Sequence, residues 1–344
     1  MKKILFGLLA SMALSVQAQD VHFTQYFTSP MTLNPATTGL VSCDWRAAAN
    51  YRSQWGAVNN KPYTTVSASY DMALLKGKLN GDALGVGVLA MYDKSGTGQL
   101  TNTTLGLSMA YHHSFGDAED RPTVLSVGAQ GYLVNKSINF ANLNFGDEYD
   151  PITGKPVLPT KESFNNRDLG YADFNSGIML TGYANERSTY YVGGSFYHIT
   201  RPVESFLLVN NAPKINQRLS LSAGGNIQMN DNLLLLASAL FQKQGPATEL
   251  LLGGAVGFIM NPMHDEYSAN SVLFLGTWYR LQDAICPYVG FEWGKSKLAF
   301  SYDVNVSSFA AATKGQGAME ISYVYNGCIV KNETRKYNFA CPRF

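Results

Sequence analysis

Long hydrophobic runs are missing from this sequence beyond its N-terminal leader. A membrane helix needs roughly 18 uninterrupted apolar residues, and the densest stretch available, Leu233 to Phe241, is about half that length. Membrane-spanning helices are therefore excluded. Charge is also scarce, at 15% of residues, against roughly 25% in typical soluble domains. With 26 Lys and Arg against 25 Asp and Glu, the formal net charge of +1 leaves no basic surplus for nucleic acid. The chain has four cysteines, with neither a CxxC pair nor a histidine clamp beside them, so no metal site is expected.

Catalytic constellations are missing too. There is no GxSxG elbow, since Ser222 is followed by Gly224 but has Ser220 where the first glycine should stand. No HExxH occurs, and His264, Asp265 and Glu266 lack a second histidine four residues on. His112 and His113 are adjacent and would point to opposite faces of a strand, while His22 and His198 are isolated. The expectation is a non-enzymatic protein without a cofactor.

What is present suits short strands, tight turns and aromatic belts: Gly 32, Tyr 20 and Phe 18. The opening MKKILFGLLASMALSVQAQD has Lys2 and Lys3, a short apolar run and the small-residue site Val16, Gln17, Ala18, which is the layout of a secretory signal peptide. Cleavage is expected after Ala18, with no cysteine at the new terminus to take a lipid.

Thereafter the signal is period two. In TTLGLSMAYHH, Thr103, Leu105, Leu107, Met109 and Tyr111 face one way, and Thr104, Gly106, Ser108, Ala110 and His112 the other. Such segments recur near residues 50, 67, 88, 107, 130, 178, 193, 223, 238, 254, 276, 289, 301 and 321. An even set of about fourteen strands reads as a transmembrane antiparallel β-barrel in the outer membrane, with both ends on the periplasmic side. Parity then places the long connections Asn139 to Gly170 and Ile199 to Gln217 outside, and the short ones after strands six, eight and twelve inside. The stretches Met72 to Asp82 and Asn261 to Ser271 are expected as longer inner turns. The domain reading is leader 1–18, an irregular N-terminal periplasmic or plug segment 19–42, barrel 43–326 and a short periplasmic tail 327–344.

Charge on the lipid face would cost roughly 2–4 kcal/mol at mid-depth, so charged faces are assigned to the lumen. That assigns Arg46, Asn50, Arg52 and Gln54 of the first strand to the interior, with Arg280, Glu292, Asp303 and Glu320 from the closing strands. Opposite charges there read as a pairing network that holds the barrel's shape rather than as a solute pathway. The export route permits disulfides. Cys43 and Cys286 fall at opposite ends and should not pair, whereas a local bridge between Cys328 and Cys341 in the tail is expected if the tail is bridged at all. The tail's Lys331, Arg335, Lys336 and Arg343 read as a solvated basic stretch or a partner surface.

HFTQYFTSPMTLNPATTG, residues 22–39, has no strand period, and Pro30 and Pro35 keep it out of a ladder. Together with YRSQW (Tyr51 to Trp55) it resembles the start of the PorP/SprF family of outer-membrane proteins, found in bacteria with a type IX secretion system. The matching positions are Phe23, Thr24, Gln25 and Tyr26, then Asn34, Pro35, Ala36 and Gly39, then Arg52, Gln54 and Trp55. GTWYR (Gly276 to Arg280), SYDV (Ser301 to Val304) and MEISYVY (Met319 to Tyr325) resemble the family's closing strands. The resemblance implies a barrel without enzymatic activity that works with other proteins. In one role it engages the C-terminal domain of a large adhesin and supports its export, surface display and gliding motility. In the other it joins the periplasmic ring and peptidoglycan-binding components of the machine. The N-terminal segment would be a plug or docking strip at the periplasmic rim or in the lumen. A porin or small-solute channel is the alternative use of the same barrel.

Overall fold

A computed structural model describes residues 20–59, 61–79, 81–116, 122–161, 168–206, 212–260 and 271–328. Fourteen strands follow in order: β1 (Trp45–Gln54), β2 (Tyr63–Leu79), β3 (Asp82–Ser95), β4 (Leu100–Phe115), β5 (Thr123–Ser137), β6 (Asp168–Asn185), β7 (Ser188–Tyr197), β8 (Arg218–Asn230), β9 (Leu233–Gln244), β10 (Ala247–Ile259), β11 (Ser271–Arg280), β12 (Ala284–Trp293), β13 (Ser296–Asn305) and β14 (Gln316–Gly327). Each pairs antiparallel with its sequence neighbour, and β1 closes on β14 from Trp45 opposite Gly327 to Gln54 opposite Ala318. Closure leaves no sheet edge, so the backbone groups of the wall are paired where water is absent. No described helix is long and apolar enough to cross a membrane.

The period-two pattern becomes the two faces of the wall. On β4, Leu105, Leu107, Met109 and Tyr111 are exposed on the outer surface, while Thr104, Ser108, Ala110 and His112 are buried in the lumen. An apolar exterior over a polar interior is what hydrocarbon outside demands. Each period-two centre lies within an observed strand. The inner turn expected over Met72 to Asp82 is corrected: β2 continues to Leu79, with an irregularity between Leu74 and Leu79, and the connection shrinks to residues 80–81. Its alternation was obscured because the ladder slips there. The inner turn expected at Asn261 to Ser271 falls almost wholly outside the described residues.

The disulfide expectation is also corrected. Cys328 is bonded to Cys43, with Cα atoms 4.8 Å apart, and Cys341 lies outside the described residues. Ring closure brings the residue after β14 beside the residue before β1, a proximity that a linear reading of the tail misses. Cys286 is a free buried thiol on β12, well away from Cys43 as expected.

Candidate functional site: the lumenal plug and the cavity beneath it

The core of the molecule is its own N-terminal segment. Residues 20–41 enter the barrel as a 3-10 turn (Tyr26–Thr28), one helical turn (Pro30–Leu33) and a second 3-10 turn (Pro35–Thr37). Tyr26, Phe27 and Leu33 pack on the lumenal side chains of β9 to β13, including Phe274, Trp278 and Tyr288. Met31 joins Leu89, Tyr132 and Val134, while Ala36 and Leu40 join Ala83, Val124, Met179 and Tyr191. Burying side chains of this size contributes roughly 1.5–3 kcal/mol each.

The segment runs the length of the lumen. Asp20 touches His198, Arg218 and Gln244 at the outer ends of β7, β8 and β9. Leu40 and Val41 emerge at the periplasmic end, beside the inner turns. Of the two expected locations, the periplasmic rim and the lumen, the segment takes the lumen.

Just below the mouth, near the outer ends of β1, β11, β13 and β14, motifs distant in sequence meet. The Thr24 hydroxyl donates to Asp303 Oδ1 at 2.9 Å and accepts from Arg52 Nη1 at 3.0 Å and Arg280 Nη2 at 2.6 Å. The backbone amides of Thr24 and Gln25 donate to the two oxygens of Glu320, at 2.7 and 2.8 Å. Arg52 pairs with Glu320 and, at 3.1 Å, with Asp303, which Arg280 also reaches at 3.1 Å. The Gln25 amide donates to Ser301 and accepts from Ser322. Charges taken out of water need both a partner and filled hydrogen-bonding sites, and here the plug backbone fills those sites on Glu320.

Lower down, the wall is hollowed by glycine. A Cβ at Gly85 would overlap the Thr38 carbonyl, one at Gly128 would overlap the Pro35–Ala36 peptide, and one at Gly177 would overlap the Asn34 amide oxygen. Asn34 lies in this trough with its amide donating to the carbonyls of Ile178 and Gly194, at 3.0 and 3.2 Å, and accepting from Ala36 N. Gly39, at φ 73°, turns the chain against Gly85 and donates its amide to Asp71, which also holds Arg46 at 2.7 Å. That close backbone approach excludes a side chain.

Beneath the plug a cavity of about 480 Å³ opens at the periplasmic end. Phe27, Pro30 and Leu40 of the plug line it, with Arg187, Glu292 and Lys295 from the inner turns and strand ends.

A model of the family described as type IX secretion system membrane protein PorP/SprF matches residues 15–325, nearly the whole chain. The chain belongs to the PorP/SprF family. It is an outer-membrane barrel of the type IX secretion system. No curated protein matches it. Among solved structures, the Pseudomonas putida toluene transporter TodX is 11% identical with a TM-score of 0.48, covering 91% of this chain and 100% of that one. The Ralstonia pickettii toluene transporter TbuX is 14% identical with a TM-score of 0.45, covering 87% and 93%.

In this PorP/SprF barrel the motif residues are consumed by the plug. Phe23, Gln25, Tyr26, Asn34, Pro35, Ala36 and Gly39 are all buried inside. Tyr26 donates its hydroxyl to Ser238 at 2.6 Å. Of the expected lumen network, Arg52, Arg280, Asp303 and Glu320 form the central cluster, while Arg46 pairs with Asp71 and Asn50 donates to Thr28. Two members stand apart. Gln54 is only half-buried at the outer end of β1, and Glu292 lines the periplasmic cavity instead of meeting Arg280. Parity assigned their face correctly but carries no information on depth. Sequence reading missed Asp71, Asp173 and Glu249, although each shares its strand's lumenal parity with buried residues: Ser67, Asn175 and Leu251 respectively.

Proposed function

We propose that this barrel is a sealed anchor, holding a protein partner of the secretion machine at the periplasmic face rather than conducting solutes. The observation that carries this reading is the occupied lumen: residues 20–41 fill it with packed side chains and hydrogen-bond the paired charges of the wall, and the 480 Å³ cavity left beneath opens to the periplasm. Its lining mixes Phe27, Tyr183, Arg187, Glu186, Glu292 and Lys295, which suits a polypeptide segment better than a uniformly apolar solute. The family's two roles supply the candidates, either an adhesin's C-terminal domain during export and surface display, with gliding motility as the outcome, or ring and peptidoglycan-binding components. Removal of the leader after Ala18 belongs to the same proposal.

Photo-crosslinkers at Gln228 and Lys295, on the cavity lining, test it in native outer membranes with mass spectrometric readout. Capture of an adhesin through its C-terminal region assigns the escort role, and capture of ring components assigns the machine role. Steady single-channel conductance by the intact protein, with no crosslinked protein, would replace both with the porin or small-solute channel.

A further inference from the structure

The outer mouth of the lumen holds a preassembled site for a carboxylate. His198 Nε2 meets Asp20 Oδ2 at 2.6 Å, and Gln244 Nε2 donates to Asp20 Oδ1 at 3.2 Å while Gln244 Oε1 accepts from the Asp20 amide at 2.9 Å. Each member is held by groups other than Asp20. Asp173 fixes His198 Nδ1 at 2.7 Å, and Asn175 accepts the His198 backbone amide at 3.1 Å, supporting the left-handed φ of 58° at that residue. Such a conformation costs free energy in a non-glycine residue and persists only where its surroundings impose it. Arg218 lies over the Tyr197 ring at 4.0 Å, and Gln244 Nε2 also donates to the Asn216 carbonyl.

Asp20 underfills this site. Its closest approach to Arg218 is 3.4 Å from Nη1, and Arg218 Nε is buried with no hydrogen-bond partner among the described residues. A guanidinium offers a fork of donors that a well-placed carboxylate engages bidentately. A cavity of about 20 Å³ adjoins the pair, lined by Asp20, Arg218 and Gln244 among others. The Asp20 carboxylate is 28% exposed, so it can be reached from the mouth. Arg201 and Lys214 are exposed on the β7–β8 connection that carries His198, so an incoming chain with several carboxylates meets further positive charge.

We propose that the outer mouth is a binding site for an acidic polypeptide at the cell surface, with Asp20 as its resident, displaceable ligand. The assignment is independent of which partner occupies the periplasmic cavity.

The probe is a fluorescein-labelled hexaglutamate peptide added to the full-length protein in detergent at low salt. Asp20→Ala should bind it about ten-fold tighter than wild type, because wild type must first give up its own carboxylate. Adding Arg218→Gln to that variant should return binding to the wild-type level or below. Equal binding by Asp20→Ala and wild type, or by Asp20→Ala with and without Arg218→Gln, overturns the site. Acetate that displaces the peptide at equal carboxylate concentration overturns the polypeptide assignment. Hydrogen exchange on the wild-type protein needs no variant: excess peptide should speed exchange at residues 20–23 and leave 34–39 unchanged, and no change at 20–23 overturns the proposal.

Discussion

Gly177→Ala adds one methyl group and no charge, yet it should dislodge the plug. Gly177 faces the lumen on β6, where the new Cβ would overlap Asn34 Oδ1 and stand 2.9 Å from Asn34 Cγ. An extended strand accepts alanine, so the wall itself has no reason to deform. Either the plug backs away, an overpacking cost of about 1–3 kcal/mol, or the Asn34 amide swings out. The second route gives up its donations to Ile178 and Gly194 and its acceptance from Ala36, at about 1 kcal/mol for each bond. The cheaper route sets the cost, about 1–3 kcal/mol, or roughly 5- to 150-fold in the ratio of docked to released plug. Gly131→Ala on β5 is the control, because its Cβ would meet the Phe174 ring at an ordinary 3.5 Å. Hydrogen exchange by mass spectrometry on the two variants should show faster exchange over residues 30–39 in Gly177→Ala alone, with the strands of both unchanged. Unaltered plug exchange in Gly177→Ala would show that the glycine trough does not hold the segment.

Three further outcomes follow from the same contacts. Arg52→Met leaves Asp303 and Glu320 buried together with Arg280 nearby, and breaking such a pair should cost about 3–5 kcal/mol; the thermal midpoint checks it, and an unchanged midpoint would remove the cluster from the stability account. At the outer mouth, burial lowers the His198 pKa, but Asp20 and Asp173 outweigh it and hold the imidazole at about 9 against 6.5. Burial raises that of Asp20, but Arg218, His198 and Gln244 reverse it and hold the carboxyl well below the usual range. Asp20, Asp173 and Arg218 are the charges facing His198. A raised histidine contributes stability in full below pH 6.5 that is lost as pH rises through about 9, and a depressed carboxyl contributes above its unfolded value. Protection factors at residues 20–23 should therefore hold from about pH 4 to 6.5 and decline towards pH 10, by an upper limit of about 3 kcal/mol. Finally, non-reducing peptide mapping should recover Cys43 linked to Cys328, and the double serine variant should lose roughly 2–4 kcal/mol yet still close, since β1 and β14 stay paired from Trp45 to Gln54.

The wall was legible in the sequence because lipid outside and polar groups inside impose a strict alternation, and residues such as Leu105 to Tyr111 follow it without interruption. The plug was legible as an exception, a proline-containing segment without period, but its path was not. Period fixes a face; it says nothing of which strand a distant residue will meet. That is why Arg46 is expected among the closing-strand charges and instead meets Asp71, and why a linear reading offers Cys341 as the possible partner of Cys328 although ring closure sets Cys328 beside Cys43. Glycine carried a signal that went unread. Gly85, Gly128 and Gly177 have no positive φ to mark them as turns, and only the segment pressed against them explains their size.

The plug is bound unevenly along its length, and that unevenness sets how it can move. Between Thr24 and Gly39 every turn is specified by something different: carboxylates reading backbone amides, aromatic packing around Phe27, then the glycine trough. A shift of one residue would set side chains against amides and place a Cβ where only glycine's neighbour fits, so this stretch has a single register. Paired buried charges add little net stability but penalise every misplaced arrangement, which is the use to which they are best suited here. The outer end is held by Asp20. The foot is held by covalent continuity into β1 and the bond from Cys43 to Cys328. Opening should therefore begin at the outer mouth and stop at Thr24, so that a surface ligand can loosen the first residues without unsealing the membrane. Unsealing it would require breaking the Arg52 cluster, and the force for that has its natural handhold at Leu40 to Ser42, where the segment borders the periplasmic cavity.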